Sequence, residues 1–226
     1  MCGRFALDAP LAAVEAQLAC ALPAGLAQHY APRALVLPGE PLLALRCEHG
    51  HHEAALMLWG LLPDWVKNPL EPGPDGKRRP RPFNARSETV AEKATFRGAW
   101  RHRRCLIPAT AFFEKGRRIA PAGGELFWLA GLWERWIGPD GSELESCCVL
   151  TTRPNALVAP LHDRMPVIVP AGLEEPWLSP LDGPGLRALE PLLEPWDPAA
   201  WCALPPAASG NTAKGRLDQG QLNLPL

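Results

Sequence analysis

The second residue, Cys2, offers two nucleophiles at once if Met1 is removed, a step sterically favoured ahead of a small side chain. A free α-amine titrates at about 8 and a free thiol at about 8.5, so neither needs extreme tuning to react near neutral pH. An aldehyde condenses with the amine to an imine, and the adjacent thiol traps the imine as a five-membered thiazolidine. Alternatively, the thiol attacks an acyl carbon, as in an N-terminal-nucleophile peptidase. The third possibility is an ordinary second-position cysteine with no chemical role.

Three other polar groups stand at the margins of apolar runs. Asn84 opens Asn84-Ala85-Arg86-Ser87-Glu88-Thr89 behind a basic loop, and Glu114 closes Phe112-Phe113-Glu114. His162 lies in Leu161-His162-Asp163-Arg164-Met165-Pro166, just ahead of another apolar segment. Partial desolvation at such margins favours the neutral form of a carboxyl or an imidazole, which suits acid/base work. Each residue also has a structural reading: Asn84 as a turn residue, Glu114 as the partner of a surface lysine, and His162 as a capped turn.

The elements that must position these groups are mostly short strands. Runs of strand character cover 41–46, 54–60, 104–114, 125–133, 145–152 and 165–169. Asp8 is placed to cap a helix with Pro10 in its first turn and Leu11, Val14 and Leu18 on one face, ending before Pro23. A polar helical stretch is predicted from Ser87 through Lys93, and a short helix over 154–160. Strands dominate the middle of the chain and helices lie outside them. The fold class is therefore α+β, with a curved mixed or antiparallel sheet, barrel-like, and peripheral helices.

Composition bounds the rest. With 226 residues and 47% hydrophobic side chains, residues 1–226 suffice for one substantial core, read as a single domain. No apolar stretch approaches the roughly 18 residues that span a bilayer, so no membrane partner is expected. Met1 to Asp8 carries Arg4 and Asp8 where an export signal needs an apolar run. The seven cysteines form no Cys-x-x-Cys pair, which argues against a disulfide framework or a structural zinc. His49, His51 and His52 lack ligands at finger spacing, so no metal and no cofactor is predicted. These features point to a cytoplasmic, nucleoid-associated protein and a monomer.

The formal net charge is only −1, yet Lys67 to Arg104 holds eleven Lys/Arg against four acids, a local +7 that leaves −8 elsewhere. Trp59, Trp65, Phe83, Phe96 and Trp100 lie in or beside that stretch. Local positive charge with interleaved aromatics suits a surface that tracks phosphates and stacks bases. The alternative is a solvated Pro/Gly loop over 73–82 whose charges only keep it soluble.

Read in order, the motifs resemble the SOS-response-associated peptidase (SRAP) domain family, whose members crosslink to abasic sites in DNA. The matching segments are Met1-Cys2-Gly3-Arg4-Phe5, Ala31-Pro32, Trp59-Gly60-Leu61-Leu62-Pro63-Asp64-Trp65, Asn84 to Thr89, Arg104-Cys105-Leu106-Ile107-Pro108 through Phe113-Glu114, Ala130-Gly131-Leu132-Trp133-Glu134, and Leu161 to Val167, with a fainter echo at Gly210-Asn211. The resemblance implies a catalytic group of Cys2, Asn84, Glu114 and His162. Glu114 would assist protonation and opening of the abasic sugar, Asn84 would orient the N-terminal cysteine and adduct, and His162 would shuttle protons at the imine. It also implies that Arg4, Arg86 and Arg164 hold phosphates and that Trp65 lies near the DNA groove. The partner implied is single-stranded DNA containing an abasic site. Two positions depart from the family: Lys115 stands where Trp usually follows the glutamate, and His29-Tyr30-Ala31-Pro32 replaces Asn-x-Ala-Pro. A cysteine-type peptidase limited to processing Met1 and a DNA-binding module without chemistry are the alternatives.

Overall fold

The fold is that of a computed structural model, which describes residues 2–69, 76, 81–181 and 183–205. Lys77 to Pro80 of the basic loop, Met1 and Gly210-Asn211 lie outside the described residues. Strands β1 (Phe5–Leu7), β2 (Arg33–Val36), β3 (Pro41–Glu48), β4 (His51–Trp59) and β5 (Asn84–Arg86) form the first half of the β framework. It continues with β6 (Arg104–Ala109), β7 (Ala111–Glu114), β8 (Arg117–Pro121), β9 (Phe127–Ile137) and β10 (Glu143–Thr152). Three short strands complete it: β11 (Met165–Pro166), β12 (Ile168–Val169) and β13 (Trp201–Leu204). Helices α1 (Leu11–Leu18), α2 (Ala24–His29), α3 (Ala94–His102), α4 (Glu174–Leu178) and α5 (Gly183–Ala188) lie between them.

The order β10-β4-β3-β6-β9 closes on itself through a β9–β10 pairing, giving the expected α+β fold with a five-stranded mixed barrel. Only the β4–β10 and β5–β10 contacts are parallel. Every residue of β6 is buried, because one face lines the barrel and the other is covered. That explains its apolar run where a half-exposed strand would alternate. Gly131 in β9 is set by this closure: a Cβ there would sit 2.6 Å from Cys105 Sγ. A second sheet, β13-β8-β7-β1-β2, is antiparallel throughout and shares one hydrophobic core with the barrel.

Several elements differ from the sequence expectation. The run 104–114 is two strands in two sheets, broken at Thr110, whose hydroxyl donates to Ala6 O at 3.1 Å and is hydrogen-bonded to the Asp8 carboxylate. Asp8 is thereby occupied, and α1 starts after Pro10 without a side-chain cap. The 154–160 segment is a series of turns in which the Asn155 side chain accepts from Leu157 N and Val158 N. The stretch from Ser87 gives only a 3-10 turn, Ser87–Thr89, and the true helix is α3. No helix among the described residues is long and apolar enough to cross a membrane.

Arg104 ties the outer helices to the barrel. It is 2% exposed, and its guanidinium donates to Trp100 O (2.6 Å), Arg101 O (3.0 Å) and Trp177 O (2.7 Å), and to Ser179 O. These are carbonyls at the C-terminal ends of α3 and α4, where a cation is favoured by the helix dipoles and free carbonyls need donors. Burial without a carboxylate partner pulls the Arg104 pKa down to about 10. Arg104→Ala strands these acceptors in the core and is expected to cost about 3 kcal/mol. Arg104→Lys should rescue only part of this, because an ammonium lacks the planar fork. Urea unfolding midpoints check both, and a midpoint unchanged in Arg104→Ala would refute the role.

Candidate functional site

The start of the chain is built into the second sheet. Phe5 and Ala6 face Phe112 and Ala111 of β7, Thr110 N donates to Ala6 O (2.8 Å), and Phe113 N donates to Arg4 O (3.0 Å). Phe5 and Val36 pair on the other edge. Cys2 is fully buried, and its carbonyl accepts from Asn84 Nδ2 at 2.8 Å. Asn84 is in turn fixed by β5 lying parallel to β10, where it pairs with Val149. Behind it, Trp59 Nε1 donates to Phe83 O (2.8 Å), and the Trp59 ring packs edge-on against Phe5 and Phe83. The Asn84 Oδ1 atom is buried with no hydrogen-bond partner among the described residues.

Glu114 ends β7 at a two-residue hairpin turn. Lys115 (φ 44) and Gly116 (φ 75) are both left-handed, the geometry that matches the twist of a tight antiparallel hairpin. Lys115, at the family's usual Trp position, thus sits in a conformation that non-glycine residues seldom adopt. Glu114 is buried, and desolvation raises its carboxyl pKa against the opposing positive charges of the chain's amino terminus, His162 and Arg4. Desolvation, then the Glu114 charge, pushes the Cys2 thiol up to about 12, while the Arg4 backbone N–H favours the thiolate. His162 lies beside Glu114 electrostatically. Its Nδ1 is 2.9 Å from Arg164 N and 2.7 Å from Asp163 Oδ1. A neutral imidazole accepts there from Arg164 N–H, and an imidazolium donates to Asp163, so both protonation states have a partner. Cys2, Asn84, Glu114 and His162 therefore share one place, though they come from four separate segments.

The arginines differ. Arg4 and Arg86 are exposed and make no side-chain hydrogen bond or ion pair among the described residues, though their charges act on Glu114 and Glu88 respectively. Arg164 is mostly covered; its guanidinium grips both oxygens of Glu88 (2.5 and 2.8 Å) and donates to Thr151 O (2.5 Å). That pairing holds the Glu88 carboxyl below its ordinary pKa. Glu88 and Thr151 went unmarked in the sequence. Glu88 was visible only as part of the Asn84 to Thr89 motif, and nothing in the sequence ties Thr151 to Arg164. Of the aromatics beside the basic stretch, Trp59, Phe96 and Trp100 are core side chains, which corrects their reading as a stacking surface. Trp65 is 60% exposed and stands apart from the four central residues, in a cleft with Arg97, Arg101, Arg103 and Glu134.

Comparison with known proteins agrees with this arrangement. The family model described as SOS response associated peptidase (SRAP) matches residues 1–206. The chain is 36% identical over 208 residues to the abasic site processing protein YoqW of Bacillus subtilis, covering 87% of this chain and 88% of that one. It is 32% identical over 142 residues to the abasic site processing protein HMCES of Xenopus tropicalis, covering 51% and 41%. A crystal structure of a protein from Bacteroides thetaiotaomicron superposes with a TM-score of 0.76 at 25% identity, covering 89% of this chain and 90% of that one. With the buried Cys2 start, the Asn84 clamp and a family match over nearly the whole described fold, the chain belongs to the SRAP family.

Proposed function

We propose that the protein processes abasic sites in single-stranded DNA by crosslinking to them through Cys2 after Met1 is removed. The observation that carries this reading is the seating of Cys2. Its carbonyl is held by Asn84, its thiol lies within the field of the buried Glu114, and His162 is at hand for protons. The names of the relatives supply the substrate class.

The chemistry balances as follows. The closed sugar opens when its ring oxygen gains a proton as the C1′ hydroxyl loses one, leaving an aldehyde. Glu114, whose pKa is raised by burial, supplies the first proton, and its carboxylate then accepts one. The Cys2 amine adds to C1′ and water leaves, giving an imine. The thiol adds to the same carbon, forming the C–S bond as its proton passes to the imine nitrogen. The net change is one C–N bond, one C–S bond and one water lost. A thiol pushed up to about 12 holds its proton at neutral pH, so sulfur attack needs a nearby acceptor, and Glu114 and His162 are placed for that. The Asn84 Oδ1 atom accepts from the amine or from the adduct nitrogen. Arg4 and Arg86 face solvent for phosphates. Arg164 braces the motif through Glu88, and a phosphate reaching it shares its guanidinium with that carboxylate. Met1 removal by the protein itself is the peptidase component of the same proposal.

Intact mass after incubation with an abasic single-stranded oligonucleotide should show loss of Met1 and gain of the oligonucleotide less one water. Cys2→Ala should keep its fold and DNA retention and form no heat-stable adduct, and Cys2→Ser should also fail, because a hydroxyl traps the imine poorly. A heat-stable adduct with Cys2→Ala refutes the mechanism, and peptide cleavage without any adduct favours the peptidase reading.

Glu114→Gln should slow crosslinking about 10²–10⁴-fold with little loss of DNA affinity, and should flatten the pH–rate profile. The same substitution tests the linkage. Because burial raises the folded-state pKa of Glu114, its stabilising contribution is complete below the ordinary value of 4.5 and is lost as pH rises through the folded value. Glu114→Gln should therefore melt above wild type at pH 7, with the difference vanishing near pH 4. Identical pH–rate profiles, or a lower melting temperature at pH 7, would count against the assignment.

A further inference from the structure

We infer that Glu88 is a positioning residue for the chemistry at Cys2: by fixing the Arg164 guanidinium against the Thr151 carbonyl, it holds the segment that carries His162 in register with the strand that carries Asn84. This rests on the proposed reading of the site as a lesion-crosslinking site. The two segments come from distant parts of the chain and meet on β10. Thr151 of β10 pairs with Arg86 of β5 on one edge and with Pro166 of β11 on the other. Residues directly opposite one another in a sheet project to the same face, as do alternate residues of one strand. Asn84, Arg86, Thr151 and Pro166 therefore share a face. Glu88 lies just after β5, in the turn Ser87–Thr89, and Arg164 lies just before β11.

Side chains join those two ends. Arg164 Nη1 donates to Glu88 Oε1 at 2.5 Å and Nη2 to Glu88 Oε2 at 2.8 Å, and Nη2 also donates to Thr151 O at 2.5 Å. A two-pronged pair of this kind fixes the orientation of both partners. The Arg164 backbone N–H in turn donates to His162 Nδ1 at 2.9 Å. One residue thus carries the link, with its guanidinium tied to the segment from Asn84 to Thr89 and its backbone bonded to one imidazole nitrogen. Arg164 Nε is buried with no hydrogen-bond partner among the described residues. A stranded buried donor favours turning the guanidinium away, and the Glu88 carboxylate opposes that turn.

Exposure and charge argue against two simpler roles. The Glu88 side chain is 49% exposed and that of Arg164 12%, and a pair with one partner so exposed adds little to stability. A carboxylate beside Arg86 and Arg164 also opposes the approach of a phosphate, so Glu88 does not serve strand affinity. What the pair supplies is geometry. General acid/base work by His162 depends on it, because a proton is passed only within hydrogen-bond reach.

The test follows adduct formation on an abasic single-stranded oligonucleotide by wild type, Glu88→Gln and Glu88→Asp, separating the rate at saturating strand from the concentration that gives half of it. In Glu88→Gln the saturated rate should fall about ten- to a hundredfold, the cost of a reacting group displaced by about 1 Å. The half-saturating concentration should stay level or drop, because a charge that repels phosphate is gone. Glu88→Asp keeps the carboxylate on a shorter stem and should recover part of the rate. In an Arg164→Lys background, which lacks the planar fork, Glu88→Gln should add little, since its effect runs through the guanidinium. The melting temperature of Glu88→Gln should stay close to wild type, and a large fall would make the role structural and overturn the inference. The second readout needs no DNA: the His162 ring-proton NMR signals, assigned by their loss in His162→Ala, should shift or broaden in Glu88→Gln and stay near wild type in Glu88→Asp. An unchanged saturated rate, a defect confined to the half-saturating concentration, or an unmoved His162 signal overturns the positioning role. Wild type that forms no adduct, while the His162 signal moves in Glu88→Gln, refutes the lesion chemistry and leaves the coupling of Glu88 to His162 standing.

Discussion

The site depends on the capture of the chain's first strand by hydrogen bonds on both edges. Chain starts fray unless something ties them down. Here Arg4 O and Ala6 O accept from β7 and its preceding corner, Phe5 pairs with Val36, and Asn84 holds the Cys2 carbonyl. Cys2 is therefore held in the core just ahead of β1. The same capture sets the electrostatics. A buried thiol and a buried carboxyl side by side each favour the protonated form.

Arginines divide by what surrounds them. Arg104 caps helix carbonyls in the core, Arg46 lies over the Trp133 ring within a carboxylate network, and Arg103 is closed by Glu134. Arg164 is closed by Glu88, whereas Arg4 and Arg86 near Cys2 face water. Removing a buried partner costs stability, while removing an exposed one costs only what it binds. The two sets are thus separable by mutation.

The barrel supplies the rigidity that connects them. Its closure through the β9–β10 pairing places β5 on one edge of β10 and β9 on the other, so β10 fixes the position of the Asn84 anchor. Strands β4 and β5 both pair in parallel with the same edge of β10.

Residue types and local periodicity were enough to mark Cys2, Asn84, Glu114 and His162, the strands β3, β4, β9 and β10, and the local excess of positive charge. These signals survive because each depends on neighbours within a few residues: alternation, an apolar run, a polar group at its margin. Tertiary structure alone decided which of them meet. It split 104–114 into two sheets, because Thr110 bonds to Ala6 and Asp8, a hundred residues away in the chain. It turned Trp59, Phe96 and Trp100 from a stacking surface into core, since strand register and helix phase choose which face is buried. It committed Arg164 to Glu88 and put the helix α3 at Ala94–His102, after the stretch from Ser87 through Lys93 where one was expected. Pairing, burial and ion-pair choice are long-range competitions among groups that sequence proximity does not rank. The candidate residues were therefore visible in the chain, while their geometry came only with the closed barrel.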